Sequence, residues 1–377
     1  MLIRINSYYV LAVNECRGGH CVTSHKRLTQ NDIAKLAGVS QATVSLVLNG
    51  APTAIARIPA ETRERVQAVI RKTGYVADPI ARRMAKGLNR ILGVFTYEPA
   101  FPSAQADFFT PFLLGIEEEA QQQAYDLLLL TSAGVGNNRK IFSEGNRLRI
   151  ADGCLVLGRE FDRKELTRLV SEDYPFVAIG RRDDAGGPVP YVGGDYAAGT
   201  RQLVEDAMML GHSKLAYIGP AGPAESIADR WRGFSDALGT AATLALHIKA
   251  VNRPAEKILD AIIESGATVA FFIELADAVR VETLARERGI GVPDVFSMVV
   301  LGSHIRAGRS PVRFTSYEIP REEMGRQATA MLVNRIETGS PGSQILLKCQ
   351  PVKGETLGPA PVASPDKSPV NKTDETT

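Results

Sequence analysis

The sequence predicts an α/β protein in which a small three-helix headpiece precedes a body of two Rossmann-like lobes. Three observations predict it: two capped helices joined by a Gly-containing turn within 28–49, short apolar strands alternating with helical segments further on, and a basic charge concentrated at one end of the chain.

In LTQNDIAKLAGVSQATVSLVLN, Thr29 stands as an N-cap with Asp32 three residues on, a carboxylate variant of the capping box. The helix closes at Ala37-Gly38, where Gly38 supplies the positive φ that a tight turn needs. Ser40 caps the second helix, whose Val44, Val47 and Leu48 share one stripe and pack against Ile33, Ala34 and Ala37. The opposite stripe holds Ala42, Ser45, Leu46 and Asn49, with Gln41 beside it. These side chains are short enough to approach a groove floor, the arrangement of a helix-turn-helix whose second helix meets base edges in the major groove.

A third helix follows over ETRERVQAVIRKT, with Val66, Val69 and Ile70 inward and Gly74 past its end. Tyr75 then leads into ADPIARRMAKG, an Asp cap and a Pro that start a helix of about two turns. A helix so short is marginal alone in water and is ordered by a partner or by DNA. Between Lys26 and Arg90 twelve Lys and Arg stand against four Asp and Glu, a net +8, while the whole chain is only +2. A basic headpiece on an acidic body localises phosphate attraction to one end.

The body alternates strand and helix: ILGVFTY, PFLLGIEEEAQQQA, YDLLLLTS, GCLVLG and PFVAIG form one series. Gly194 to Leu210 as a helix, KLAYIGP, DRWRGFSDAL, TVAFFI, ADAVRVETLARERG and FSMVVLG form a second. Apolar runs of this length suit parallel strands buried on both faces, and two βαβ series predict two doubly wound lobes with a cleft between them.

IAKLAGVSQATVSLVLNG, ETRERVQAVIRKTGY, PIARRMAKG and ILGVF, in that order and spacing, resemble the lactose-repressor (LacI/GalR) family of bacterial regulators, and the likeness runs more loosely to about Pro359. The resemblance implies base reading by Gln41, Ala42 and Leu46, and phosphate contacts from Thr29, Ser40, Ser45, Asn49 and Tyr75. It places Met84 as an apolar wedge that unstacks a minor-groove step. Leu46 departs from the family's frequent Arg and is suited to a thymine methyl rather than to guanine. The loop 51–58 is longer than usual, and Pro59 stands in place of a Ser cap.

The resemblance further implies a periplasmic-binding-protein-like body that holds a small effector. SIADRWRGF matches the family's effector segment, so the implied effector contacts are Arg230 and Ser226, with Asp195 and Glu274; Asp195 lies at the crossover between lobes, where a plain helix N-cap is an equal reading. Where the family carries carboxylates that grip sugar hydroxyls, this chain has Glu274-Leu275 and Gly302-Ser303, which argues against an ordinary sugar. The expected domains are 1–27, a disordered extension or sequence ahead of a later start; 28–76, the headpiece; 77–90, a hinge helix; 91–358, the two-lobed body; and 359–377, a disordered tail.

No Walker loop, His-Glu-x-x-His, Gly-x-Ser-x-Gly or dinucleotide fingerprint occurs, so no catalytic residues and no cofactor are expected. Cys16, His20, Cys21 and His25 fit no familiar zinc spacing, and Cys154 and Cys349 read as ordinary thiols. No apolar run reaches membrane-spanning length, and the apolar core near the N-terminus is too broken for a signal peptide. The expected protein is a cytoplasmic homodimer on a double-stranded DNA operator, under control of a small molecule. Two rival readings stay open: a metabolite sensor or solute binder with degenerate DNA specificity, and an enzyme on a Rossmann-like body, which would keep turnover without residues 1–90.

Overall fold

The computed structural model describes residues 2–5, 8–17, 20–26, 28–49, 57–75, 88–98, 106–130, 139–142, 147–220, 224–240, 245–302 and 312–361, with side chains from 28 onward except at 49, 106 and 107. The chain divides into an N-terminal unit ending at Asn89 and a larger unit beginning at Arg90.

In the first unit, the described residues of the segment read as an extension hold three antiparallel strands, β1 (Leu2–Ile5), β2 (Tyr8–Arg17) and β3 (His20–Lys26). The pairing of β2 with β3 runs from Leu11 with Lys26 to Arg17 with His20. Three helices follow: α1 (Gln30–Ala37), α2 (Gln41–Asn49) and α3 (Ala60–Thr73). Their shared core is Ile33, Ala34, Ala37, Val44 and Val66, with Val47, Leu48, Val69 and Ile70 packed at its edge. The hinge expected at 77–90 lies largely outside the described residues, as do Met84 and most of the loop 51–58.

The second unit is two-lobed. One lobe begins with β4 (Ile91–Thr96), α4 (Ala106–Gln122), β5 (Asp126–Leu130), β6 (Gly153–Leu157), α5 (Arg163–Ser171), β7 (Phe176–Ile179) and β8 (Tyr191–Asp195). The other holds α6 (Tyr196–Met209), β9 (Leu215–Gly219), α7 (Glu225–Leu238), β10 (Leu246–Lys249), α8 (Ala255–Ser265), β11 (Val269–Phe272), α9 (Leu275–Glu287), β12 (Ser297–Val300) and β13 (Thr315–Glu318). The chain then returns, giving α10 (Arg321–Thr338) and β14 (Gln344–Lys348) to the first lobe and β15 (Gln350–Val352) to the second.

The first sheet runs β14-β8-β7-β6-β4-β5 and is parallel throughout. The second runs β10-β9-β11-β12-β13-β15, parallel except where β15 pairs with β13. Central strands β6, β7, β9, β11 and β12 are buried along their whole length, as covered parallel sheets require. β5, at an edge, is not: Leu127 stays exposed. The chain therefore crosses between lobes three times, near Asp195, Pro320 and Cys349, rather than completing one series before the next.

Three boundaries differ from expectation. α4 starts at Ala106, five residues before Pro111, and the lost amide is offset by burial of Phe109 and Phe112. Gly194 and Asp195 end a strand, β8, rather than beginning a helix. Within 359–361, assigned to a tail, the Ala360 amide donates to Leu210 O at 2.8 Å, next to the Gly358 amide of the body, which donates to Ser297 Oγ at 3.1 Å. The remainder of that expected tail, 362–377, lies outside the described residues.

Candidate nucleic-acid interface and effector cleft

The headpiece is set by local chemistry. Thr29 and Asp32 form a reciprocal capping box: the Asp32 amide donates to Thr29 Oγ1 at 3.3 Å and the Thr29 amide to Asp32 Oδ2 at 2.9 Å. Gly38 takes φ 63° and ends α1, while the Thr43 amide donates to Ser40 Oγ at 3.1 Å to start α2. Arg65 of α3 donates from Nε to Ala37 O at 2.9 Å, which satisfies a helix-end carbonyl and ties the third helix to the turn.

With Val44 fully buried, the other face of α2 is presented outward. Gln41, Ala42 and Leu46 are exposed and Ser45 is half-buried. α2 carries no charged residue at all, so nothing on it repels phosphate or competes with base edges. Thr29 and Ser40 are committed as caps through their side chains, and Tyr75 packs against the headpiece core. Asn49 closes α2, its side chain outside the described set.

Between the lobes lies a narrow cleft lined from both of them. Its apolar wall is Phe108, Phe109 and Phe112 of α4 with Met324 of α10. Its polar wall is Arg159, Arg181 and Arg182, which follow β6 and β7 directly. Tyr196, Ser226 and Asp229 face them from the second lobe. The cavity thus sits outside the carboxyl ends of strands, where open α/β sheets bind ligands.

Each of these arginines reaches across to a carboxylate of the other lobe. Arg181 Nε pairs with Asp229 Oδ2 at 2.7 Å, Arg182 Nη1 with Glu225 Oε2 at 2.8 Å, and Arg159 Nη1 with Glu274 Oε1 at 3.4 Å. Burial opposes the charge on Arg181, but hydrogen bonds to Asp229 and Asp183 outweigh it and raise its pKa. At Arg182 burial prevails over Glu225 and the pKa is lowered. The Arg182 guanidinium also lies 3.8 Å from the Phe161 ring centre.

The sequence-derived effector residues take varied places. Arg230 is buried beside the cavity rather than lining it: Nε donates to Leu301 O and Nη1 to Ser226 O, both at 2.7 Å, and its guanidinium covers the Tyr196 ring at 4.0 Å. Ser226 lines the cavity. Asp195 caps α6, accepting from the Ala198 amide at 2.9 Å, at a crossover between lobes. Glu274 makes no cap bond at the start of α9 and instead meets Arg159. Cys154 and Cys349 are buried free thiols, and burial pushes both up to about 12. The cleft arginines and phenylalanines were not singled out from sequence, although Leu-Gly-Arg-Glu and Ile-Gly-Arg-Arg, each directly after an apolar strand, carried the signal.

Residues 29–78 match the family of bacterial regulatory proteins, lacI family, and residues 204–357 match a periplasmic binding protein-like domain. The regulator CelR of Thermobifida fusca is 27% identical over 338 residues, 85% of this chain and 96% of its own. The repressor PurR of Aliivibrio salmonicida is 25% identical, over 82% of this chain and 92% of its own. Among solved structures, the lac repressor dimer bound to operator and an anti-inducer superposes with TM-score 0.72 at 20% identity, covering 88% of this chain and all of that one. A CelR–cellobiose complex gives 0.56 at 23% identity, with 88% and 100% covered. Headpiece, body and relatives together define a DNA-binding transcriptional regulator. Residues 29–78 thus carry the lacI-family DNA-binding region, and the relatives similar over most of the chain are themselves named as transcriptional regulators.

Proposed function

We propose that this regulator is a homodimeric repressor of the cytoplasm, without catalytic activity, that holds a near-palindromic operator and is switched by a small molecule in the interlobe cleft. The observation that carries the reading is the exposed, uncharged face of α2, held outward by the buried Val44 and by caps at both sides of the Gly38 turn. Two copies place two such helices in successive major grooves of a palindrome. Gln41, Ala42 and Leu46 read bases; Thr29, Ser40, Ser45, Asn49 and Tyr75 meet phosphates, and Met84 acts as the minor-groove wedge. The three cross-lobe ion pairs make closure of the body depend on what fills the cleft, and a change in lobe angle is the kind of movement that alters DNA-bound geometry. Arg230, Ser226, Asp195 and Glu274 are the effector-binding residues of this reading, Ser226 lining the cleft and Arg230 lying beside it. Footprinting on the DNA upstream of its own and neighbouring genes tests the reading: a protected palindrome supports it, and absence of any protected site sinks it.

A further inference from the structure

The lining of the cleft is unbalanced in a way that narrows its ligand. Three guanidinium groups face it, while the one carboxylate lining it among the described residues, Asp229, is already shared by Arg181 at 2.7 Å and Arg232 at 3.0 Å. A neutral polyol needs acceptors for its hydroxyl donors, and this wall offers donors instead. Arg182 is 4% exposed, and its Nε has no hydrogen-bond partner among the described residues. Opposite, Phe108, Phe109 and Phe112 give an apolar, ring-shaped surface with no hydrogen-bonding group.

The three cross-lobe pairs are not equally firm. Arg181–Asp229 and Arg182–Glu225 are short and screened from water, whereas Arg159–Glu274 is long, with both side chains part-exposed. An exposed pair of this kind is worth little and is readily exchanged for another carboxylate. The Arg159 guanidinium also lies 5.4 Å from the Phe108 ring centre, so the exchangeable cation and the apolar wall are adjacent.

We propose that the cleft takes an aromatic carboxylate, whose ring lies against Phe108, Phe109 and Phe112 and whose carboxylate takes Arg159 from Glu274. The proposal rests on the reading of the cleft as an effector site and names the class of effector. Exchange at Arg159 unties the most exposed of these three cross-lobe pairs, which couples occupancy to lobe closure.

The test is calorimetric titration and thermal shift of the full-length protein with benzoate and phenylacetate, against benzyl alcohol, glucose and ribose. The acids are expected to bind saturably, and benzyl alcohol at least about tenfold more weakly, because it lacks the charge-assisted pair. Arg159→Gln, at a half-exposed position, is expected to lose about tenfold or more in acid affinity. Arg201→Gln, at a surface pair with Asp236, is expected to bind as the parent does. Benzoate binding unchanged by Arg159→Gln overturns the proposal, as does benzyl alcohol binding equally well. Glucose or ribose binding without the acids overturns the acid class and leaves the effector cleft standing. Binding by none of the five overturns the acid class, and operator release by a cell extract then decides whether the effector reading falls too.

Discussion

Arg181 Nε donates to Asp229 Oδ2 at 2.7 Å, joining the end of a first-lobe strand to a second-lobe helix. The Asp229 side chain is 3% exposed, so removing its charge leaves a guanidinium in a drier place with one partner fewer. Asp229→Asn is expected to destabilise the body by about 3 kcal/mol, the low end for breaking a buried pair, because Asp183 stays with Arg181. Urea unfolding of full-length parent and variant checks this, and a change below about 0.5 kcal/mol, the size of an ordinary surface substitution, contradicts it.

Gly115 and Gly325 allow α4 and α10 to touch. A Cβ at Gly115 would lie 1.9 Å from Glu322 O, and one at Gly325 would lie 2.3 Å from Phe112 O. Backbone cannot yield as a side-chain tip can, so Gly115→Ala must separate the helices. The expected cost is about 1–3 kcal/mol or more. Since α4 carries Phe108 and Phe112, the same variant is expected to weaken ligand binding in the cleft, readable by titration beside the melt.

Gln41 and Leu46 are predicted to divide the labour of base recognition. Gln41→Ala removes an amide able to pair with adenine and is expected to cost about 1–3 kcal/mol on the preferred operator, with little change on random DNA. Leu46→Arg, at a 41% exposed site, is expected to move the preferred base toward guanine at the position it faces. Selection from a randomised duplex pool with each variant reports both effects; an unchanged preferred sequence in either variant removes that residue from the reading surface.

The headpiece was legible because its determinants are local: Thr29 with Asp32, Gly38, and Ser40 with Thr43 each act within a few residues. The buried strands were legible for a similar reason, as apolar runs such as GCLVL and VAFF suit only a covered sheet. Lobe membership was not, because α10 and β14 are drawn to the first lobe by the Gly115 and Gly325 approach and by pairing with β8, contacts with no sequence-local trace. The start of α4 was misplaced because Pro111 resembles a first-turn proline, and that error hid Phe108 and Phe109 from the cleft. Arg230 illustrates a further limit: its motif marks α7, but only the fold shows its Nε and Nη1 bonded to the Leu301 and Ser226 carbonyls.

Acid is predicted to destabilise the second lobe through His212. Its ring is buried, with Nε2 3.0 Å from Gly358 O and Nδ1 2.9 Å from Thr268 Oγ1. Burial lowers its pKa, against the hydrogen bond to Gly358, so the native ring is neutral: Nε2–H donates to the carbonyl and Nδ1 accepts from the hydroxyl. An unfolded histidine titrates near pH 6.5, so above that value neither state holds the proton and the full stability is present. As the pH falls below about 6.5 the unfolded chain takes a proton that the native ring refuses, and stability is lost until the lower native value is reached. One such group contributes at most about 1.4 kcal/mol per pH unit in that window. Gln at this position keeps a donor for Gly358 and an acceptor for Thr268 but cannot titrate. His212→Gln is therefore expected to lose less stability than the parent between pH 7.5 and 5.5, measured by urea unfolding of each, and parallel losses in the two proteins would remove His212 as the cause.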